Sequence, residues 1–226
     1  MSLKDQMVKY LSKHWDEMFF LVLEHIYLVL ISVGIAFLIA VAFTLICRRF
    51  RKFGNLIIGF FNMTYSLPSM ALLALLLPYF GLGKPTAIAC IVIYEQFLLL
   101  KNMLVGFDSV NPSVIESATG MGMNRSQVFF RVMLPLALPT IINGMKLAFL
   151  SAIGIAVIGA FISAGGIGSL IYDGLRRQYT AKIVIGTVLT TILSVTVNEI
   201  FQKLEQMALI HARGGFIRKG KGKKHD

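Results

Sequence analysis

Hydrophobic positions gather into long unbroken runs rather than the short alternations or amphipathic periods of a soluble domain. The first runs from Ile26 to Cys47 and closes at Arg48-Arg49. A membrane-crossing helix needs about 20 apolar residues. The run is too long for the apolar part of a signal peptide, and no A-x-A cleavage pattern follows it, so it reads as a retained span. Ahead of it, residues 1–25 mix Lys4, Lys9 and Lys13 with Asp5, Asp16, Glu17 and Glu24, around Trp15, Phe19 and Phe20. That mixture predicts an interfacial amphipathic helix with an aromatic anchor. The second run, Phe53 to Gly83, holds Pro68 and Pro78, which predict a kinked or broken span ending near Tyr79, before the turn at Gly81-Leu82-Gly83-Lys84-Pro85. The third runs from about Pro85 to Leu100 with Glu95 inside it. After a polar stretch, the fourth covers Val132 to Ser163 with Pro135, Pro139 and Lys146, and Gly165-Gly166-Ile167-Gly168 breaks it. A short mixed piece leads to the last span, Ile183 to about Phe201.

The pattern predicts an all-α membrane protein with five transmembrane helices. An N-terminal interfacial segment covers 1–25, the membrane domain covers 26–201 with a cytoplasmic loop at about 108–131, and a basic tail covers 202–226. Composition agrees, with 56% apolar and only 15% charged residues, where soluble domains carry about one-quarter charged. This excludes a soluble enzyme, a disordered regulator and a disulfide scaffold. The net charge of +11 reads as topology rather than nucleic-acid binding, because basic residues collect in cytoplasmic loops. With the 48–52 loop inside, basic residues favour the inner side by about two to one, which places the N-terminus outside and the C-terminus in the cytoplasm. Cys47 and Cys90 lie in apolar runs without ligand-like neighbours, and the four histidines are scattered, so no metal site is expected.

The informative loop is 112–139. Pro112-Ser113 signals a helix start, with Glu116 at capping-box spacing from Ser113. Ser117, Ala118 and Thr119 follow, and Gly120 and Gly122 end the helix. A short exposed helix with a small-residue face has little core of its own and suits another protein's groove.

Glu116-Ser117-Ala118, then Gly122, then Val132 and Leu134-Pro135 resemble the EAA loop of permease subunits in binding-protein-dependent ABC importers. Every spacing fits, and Ser117 replaces the middle alanine of that motif. Over roughly residues 25–205 the chain is similar to the permeases for quaternary amines (glycine betaine, carnitine, choline). The likeness is carried by Ser66-Leu67-Pro68-Ser69-Met70-Ala71-Leu72-Leu73-Ala74, Gly81-Leu82-Gly83-Lys84, Gly120-Met121-Gly122-Met123, Leu134-Pro135-Leu136-Ala137-Leu138-Pro139 and Ala164-Gly165-Gly166-Ile167-Gly168. Tyr94 to Asn102 departs from that subfamily, which puts the solute in question: an amino acid or an ergothioneine-like betaine stays open. The resemblance implies the five-helix core of type I importers in a bacterial or archaeal cytoplasmic membrane. It implies a second permease subunit, the same or paralogous, two ATPase subunits carrying ATP and Mg, and an extracytoplasmic substrate-binding protein. Glu116, Ser117, Ala118, Gly122, Leu134 and Pro135 would couple to the ATPase. The chain has no G-x-x-x-x-G-K-[ST] phosphate loop, so ATP hydrolysis belongs to another chain and no cofactor is expected here. An ATP-independent secondary transporter is the rival, against which the loop and the lack of an internal repeat both argue.

Three further features bear on the path. Tyr65, Ser66 and Ser69 surround Pro68, where a kink frees a backbone carbonyl. A quaternary ammonium suits aromatic faces, and a single tyrosine there fits transient contact without a multi-ring cage, unless Pro68 merely shapes packing. Glu95 and Lys146 are charges inside spans, which pair, line the path or lie nearer an end. Ala148, Ala152, Ala156, Ala160 and Ala164 recur every fourth residue, a ridge for packing within the subunit or against the second permease. The tail cluster Arg218, Lys219, Lys221, Lys223 and Lys224 attracts anionic lipid, as a topology signal or an ionic-strength sensor.

Overall fold

The computed structural model describes residues 2–212, with backbone alone for 51–53; the tail cluster at 218–224 lies outside the described residues. The described chain is helical almost throughout. Helix α1 is Leu3–Lys13, α2 Trp15–Arg49, α3 Arg51–Tyr65, α4 Ser69–Phe80, α5 Lys84–Asp108, α6 Pro112–Gly120, α7 Arg125–Val128, α8 Leu134–Ile158, α9 Ile167–Arg176 and α10 Thr180–Ala212. A π-helical turn, Phe129–Met133, joins α7 to α8, and a 3-10 turn, Gly159–Ile162, follows α8. Helices α2, α5, α10 and the stretch Arg125–Ile162 are each long and apolar enough to cross a membrane. The α3–α4 pair, bent by 102°, supplies the fifth crossing when read as one broken span.

Helix boundaries differ from the sequence expectation at both ends. The interfacial helix stops at Lys13, and residues 15–25 belong to α2. No glycine or proline separates Trp15 from Ile26, so nothing ends the helix there. Glu24 is tolerated within α2 because its carboxylate accepts from Lys84 Nζ (2.7 Å) and from the Gly166 N–H (2.7 Å). For the same reason α10 continues beyond Phe201 to Ala212. Pro78 does not break α4, which runs through it to Phe80. Pro68 instead sits at the N-cap of α4, and its missing N–H and fixed φ separate two helices outright.

The core is built on α5, crossed by α2, α8 and α4. The α5–α8 approach depends on small residues: a Cβ at Gly106 would lie 3.0 Å from the Ala137 carbonyl, and one at Gly144 would collide with Asn102. Ala148, Ala152, Ala156, Ala160 and Ala164 are all buried within this chain, so the ridge leaves no alanine surface for a second subunit. Gly81, Gly83, Gly165 and Gly166 have positive φ, and the Gly83 N–H donates to the Ile162 carbonyl (2.7 Å), joining the two glycine turns at one end of the bundle.

Candidate functional site

Helix α6 lies at the opposite end of the bundle, after the end of α5. Its N-cap is Asn111, whose Oδ1 accepts from the Ser113 N–H (2.9 Å), with Pro112 at the first helical position. This replaces the expected Ser113–Glu116 cap, because Pro112 needs no N–H partner and suits the first helical position, so the N-cap falls two residues earlier, at Asn111 rather than Ser113. Met121 caps the C-terminus, and Gly122 turns the chain with φ +84°. The next turn is closed by a reciprocal cap between Asn124 and Gln127, each side chain accepting the other's N–H at 2.9 Å.

The six residues assigned to coupling sit in different surroundings. Glu116 and Ser117 are exposed, with the Ser117 hydroxyl donating to the Ser113 carbonyl (2.7 Å). Ala118 is 2% exposed, so its methyl lies on the covered side of α6, unlike its neighbours Glu116 and Ser117. Gly122 is exposed and serves the turn. Leu134 and Pro135 are half-buried at the start of α8. Pro135 cannot donate to a carbonyl one turn back, and the π-helical turn before it shifts that register, with Leu134 N–H bonding the Phe129 carbonyl. The turn seats Phe129 on Phe107 of α5 (5.5 Å between centroids), and the Arg48 guanidinium of α2 lies 4.3 Å from the Phe107 ring centre. These contacts tie the π-helical turn to α2 and α5 at the start of α8. Met121 and Val114, exposed by 77% and 42%, are apolar contact candidates missed in the sequence; apolar side chains in a polar loop segment too short to span were the available signal.

At the other candidate, the α3–α4 break, Tyr65 packs on two rings of α5: Tyr94 at 4.9 Å and Phe97 at 5.1 Å between centroids. The expectation of a single tyrosine is thus corrected to a three-ring group. The Tyr94 hydroxyl donates to the Leu67 carbonyl (3.1 Å), and Ser66 Oγ donates to the Asn62 carbonyl (2.9 Å), so freed backbone groups at the break find partners. Ser66 is exposed and Ser69 half-buried at the start of α4. Beside the rings, Asn55, Ile58, Gly59, Asn62, Phe97 and Lys101 line a cavity of about 440 Å³.

Glu95 and Lys146 do not join this group. Glu95 is fully buried, and neither carboxyl oxygen meets a hydrogen-bond partner among the described residues. Lys146 donates to Glu205 of α10 at 3.0 Å. Their assignment to an open path is corrected: one is sealed in the core and the other holds two helices together. Among the described residues no group of His, Cys, Asp or Glu could hold a metal ion.

Residues 32–206 match the family described as binding-protein-dependent transport system inner membrane component. The chain is 33% identical over 202 residues to the glycine betaine/carnitine/choline transport system permease protein OpuCB of Bacillus subtilis, across 89% of this chain and 93% of that one. It is 34% identical over 199 residues to the choline transport system permease protein OpuBB of Bacillus subtilis, across 88% and 92%. The fold is similar to that of the inward-facing MetNI methionine ABC transporter, with a TM-score of 0.74 at 19% identity over 84% of this chain and 95% of that one.

Proposed function

The chain belongs to the family of binding-protein-dependent transport system inner membrane components, as a permease subunit of an ABC importer, and from that premise we propose that its cargo is a small quaternary-ammonium solute of the glycine betaine, carnitine or choline class. The observation that carries the reading is the Tyr65–Tyr94–Phe97 group at the broken span. Aromatic faces attract a quaternary ammonium that cannot donate hydrogen bonds. Relatives named for these solutes, aligned over most of the chain, support it. Buried Glu95 leaves the aromatic surface without a carboxylate that would hold a cation too long.

In this reading the exposed side of α6, with Glu116, Ser117, Val114, Met121 and Gly122, docks on an ATPase subunit in the cytoplasm. Two permeases, identical or paralogous, and two ATPases complete the importer. The face carrying α1 and both glycine turns is extracytoplasmic and receives the binding protein. Membrane lipid surrounds the spans, and the basic tail lies inside. The test is uptake of labelled glycine betaine, choline and carnitine by vesicles holding the reconstituted importer, with the binding protein supplied. ATP-dependent uptake of at least one is expected; uptake of none, beside ATP-driven uptake of an uncharged solute or an amino acid lacking a quaternary nitrogen, rejects the assignment.

A further inference from the structure

The three rings at the broken span stand at the head of a polar track that runs between α3 and α5 toward the α6 end. On α5, Tyr94, Phe97 and Lys101 lie three and then four positions apart, so they share one side of the helix. On α3, Asn55, Gly59 and Asn62 lie four and then three apart and do the same. The two sides meet at the cavity of about 440 Å³, a volume within the range of small-molecule sites, about 300–1,000 Å³. Rings and cation follow one another along it. Tyr94 and Tyr65 are 4.9 Å apart, Tyr65 and Phe97 5.1 Å, and Lys101 Nζ lies 5.3 Å from the centre of the Phe97 ring.

The charge on this track has no counterpart. Lys101 makes no ion pair among the described residues. The next acid on its side of α5, Asp108, lies about 10 Å further along the helix axis and lines the neighbouring cavity with Arg48. Asn55, Asn62 and Lys101 are exposed, although α5 and the broken α3–α4 pair both count as crossings. Polar side chains exposed on a crossing turn to water or protein, because lipid offers them no hydrogen-bond partner. The cavity wall therefore presents one uncompensated cation and two amides. A second cation at Phe97 would be repelled by Lys101, whereas the faces of Tyr65 and Tyr94 lie one ring further from it.

We propose that this track selects quaternary amines that carry a carboxylate over cationic choline. Tyr65 and Tyr94 take the quaternary nitrogen, and Lys101, with the amide N–H groups of Asn55 and Asn62, takes the carboxylate. Glycine betaine and carnitine have that carboxylate; choline has a hydroxyl in its place. The proposal rests on the reading that the cargo is a quaternary-ammonium solute, and narrows it to zwitterions. Because Lys101 is open to water, its hold on the carboxylate is weak, which suits a solute in transit.

The experiment uses the complete importer in vesicles, with saturating binding protein, and reads labelled solute taken up per ATP hydrolysed. For glycine betaine or carnitine, whichever wild type carries faster, Lys101→Gln is expected to lower this ratio by about ten-fold. Lys101→Arg should keep most of it. Where wild type also carries choline, Lys101→Gln should leave choline uptake at least as fast. An unchanged ratio in Lys101→Gln overturns the proposal. Uptake and ATP hydrolysis falling in step assign Lys101 to coupling and also overturn it, as does an equal loss for choline and the zwitterion. Wild type that carries choline but neither zwitterion overturns the proposal and leaves the quaternary-ammonium reading intact. Wild type that carries none of the three rejects both.

Discussion

Lys146 Nζ on α8 lies 3.0 Å from Glu205 Oε2 on α10. The pair is screened from solvent, with the lysine side chain 15% and the glutamate 27% exposed. It is the charged tie between α8 and α10, close to where Phe149 and Phe201 also meet, 5.0 Å between centroids. Breaking one half leaves a charge without a partner in a poorly solvated place, whereas removing both leaves none. Lys146→Met is therefore expected to destabilise the protein by about 2–4 kcal/mol, and Lys146→Met/Glu205→Leu to recover most of that loss. Thermal unfolding of the purified subunit in detergent reads both; a double variant no better than the single would show that the pair does not act as a unit.

A glycine of the fourth span and one in the first turn of α9 predict opposite responses. At Gly168 a Cβ would run into the Val157 backbone, whereas at Gly154 it would meet open space. Gly154→Ala should be neutral or stabilising by up to about 1 kcal/mol, since alanine restricts the unfolded chain and favours helix. Gly168→Ala should lower the melting temperature clearly, because a backbone segment has to move. Matching melting temperatures for the two variants would contradict this packing.

On α6, Met121→Asp places a charge on an exposed apolar side chain and disturbs no buried contact. It should weaken ATPase binding and reduce transport by about ten-fold, with the melting temperature of the isolated subunit unchanged. Ala118→Trp, by contrast, should fail at the level of folding, because that methyl is buried. Co-purification of the ATPase with each variant separates the two effects, and undiminished binding by Met121→Asp would remove Met121 from the interface.

At the broken span, Tyr65→Ala removes the ring that bridges Tyr94 and Phe97. Solute uptake should fall by roughly ten-fold, while Tyr65→Phe, which keeps the face, retains most of it. Basal ATP hydrolysis should be the same in all three proteins. Wild-type uptake by Tyr65→Ala would place the path elsewhere.

Asp173 gives a pH dependence outside the spans. Hydrogen bonds from Lys182 and Arg177 hold its carboxyl below the usual carboxylate range, against a smaller opposing effect of burial. A depressed folded-state value means that the α9–α10 turn gains stability above the ordinary carboxylate pKa and loses it as pH falls through the lower, folded one. Hydrogen exchange at residues 174–182 should therefore speed up on acidification in the wild type. In Asp173→Asn it should already be faster at neutral pH and change less on acidification; identical profiles would exclude the carboxylate as the cause.

What could be read along the chain was whatever depends on local chemistry. Apolar runs near bilayer thickness identify the crossings, because a single segment in lipid can satisfy its own backbone only as a helix. Proline and glycine marked the breaks at 66–68, 81–83 and 165–166, and the loop spacing from Glu116 to Pro135 carried the resemblance to importer permeases. Those signals need no partner from elsewhere in the sequence. Anything set by contacts between distant residues was invisible. Glu24 could remain inside α2 only because Lys84 and Gly166 arrive beside it, and Lys146 found Glu205 fifty-nine positions away rather than Glu95. Ala118 turned inward although its neighbours Ser117 and Thr119 are exposed. Tyr65 gained two further rings because α5 packs against α3. A charge or ring in a linear sequence specifies what it needs but not which helix supplies it, and that choice is made when the helices pack.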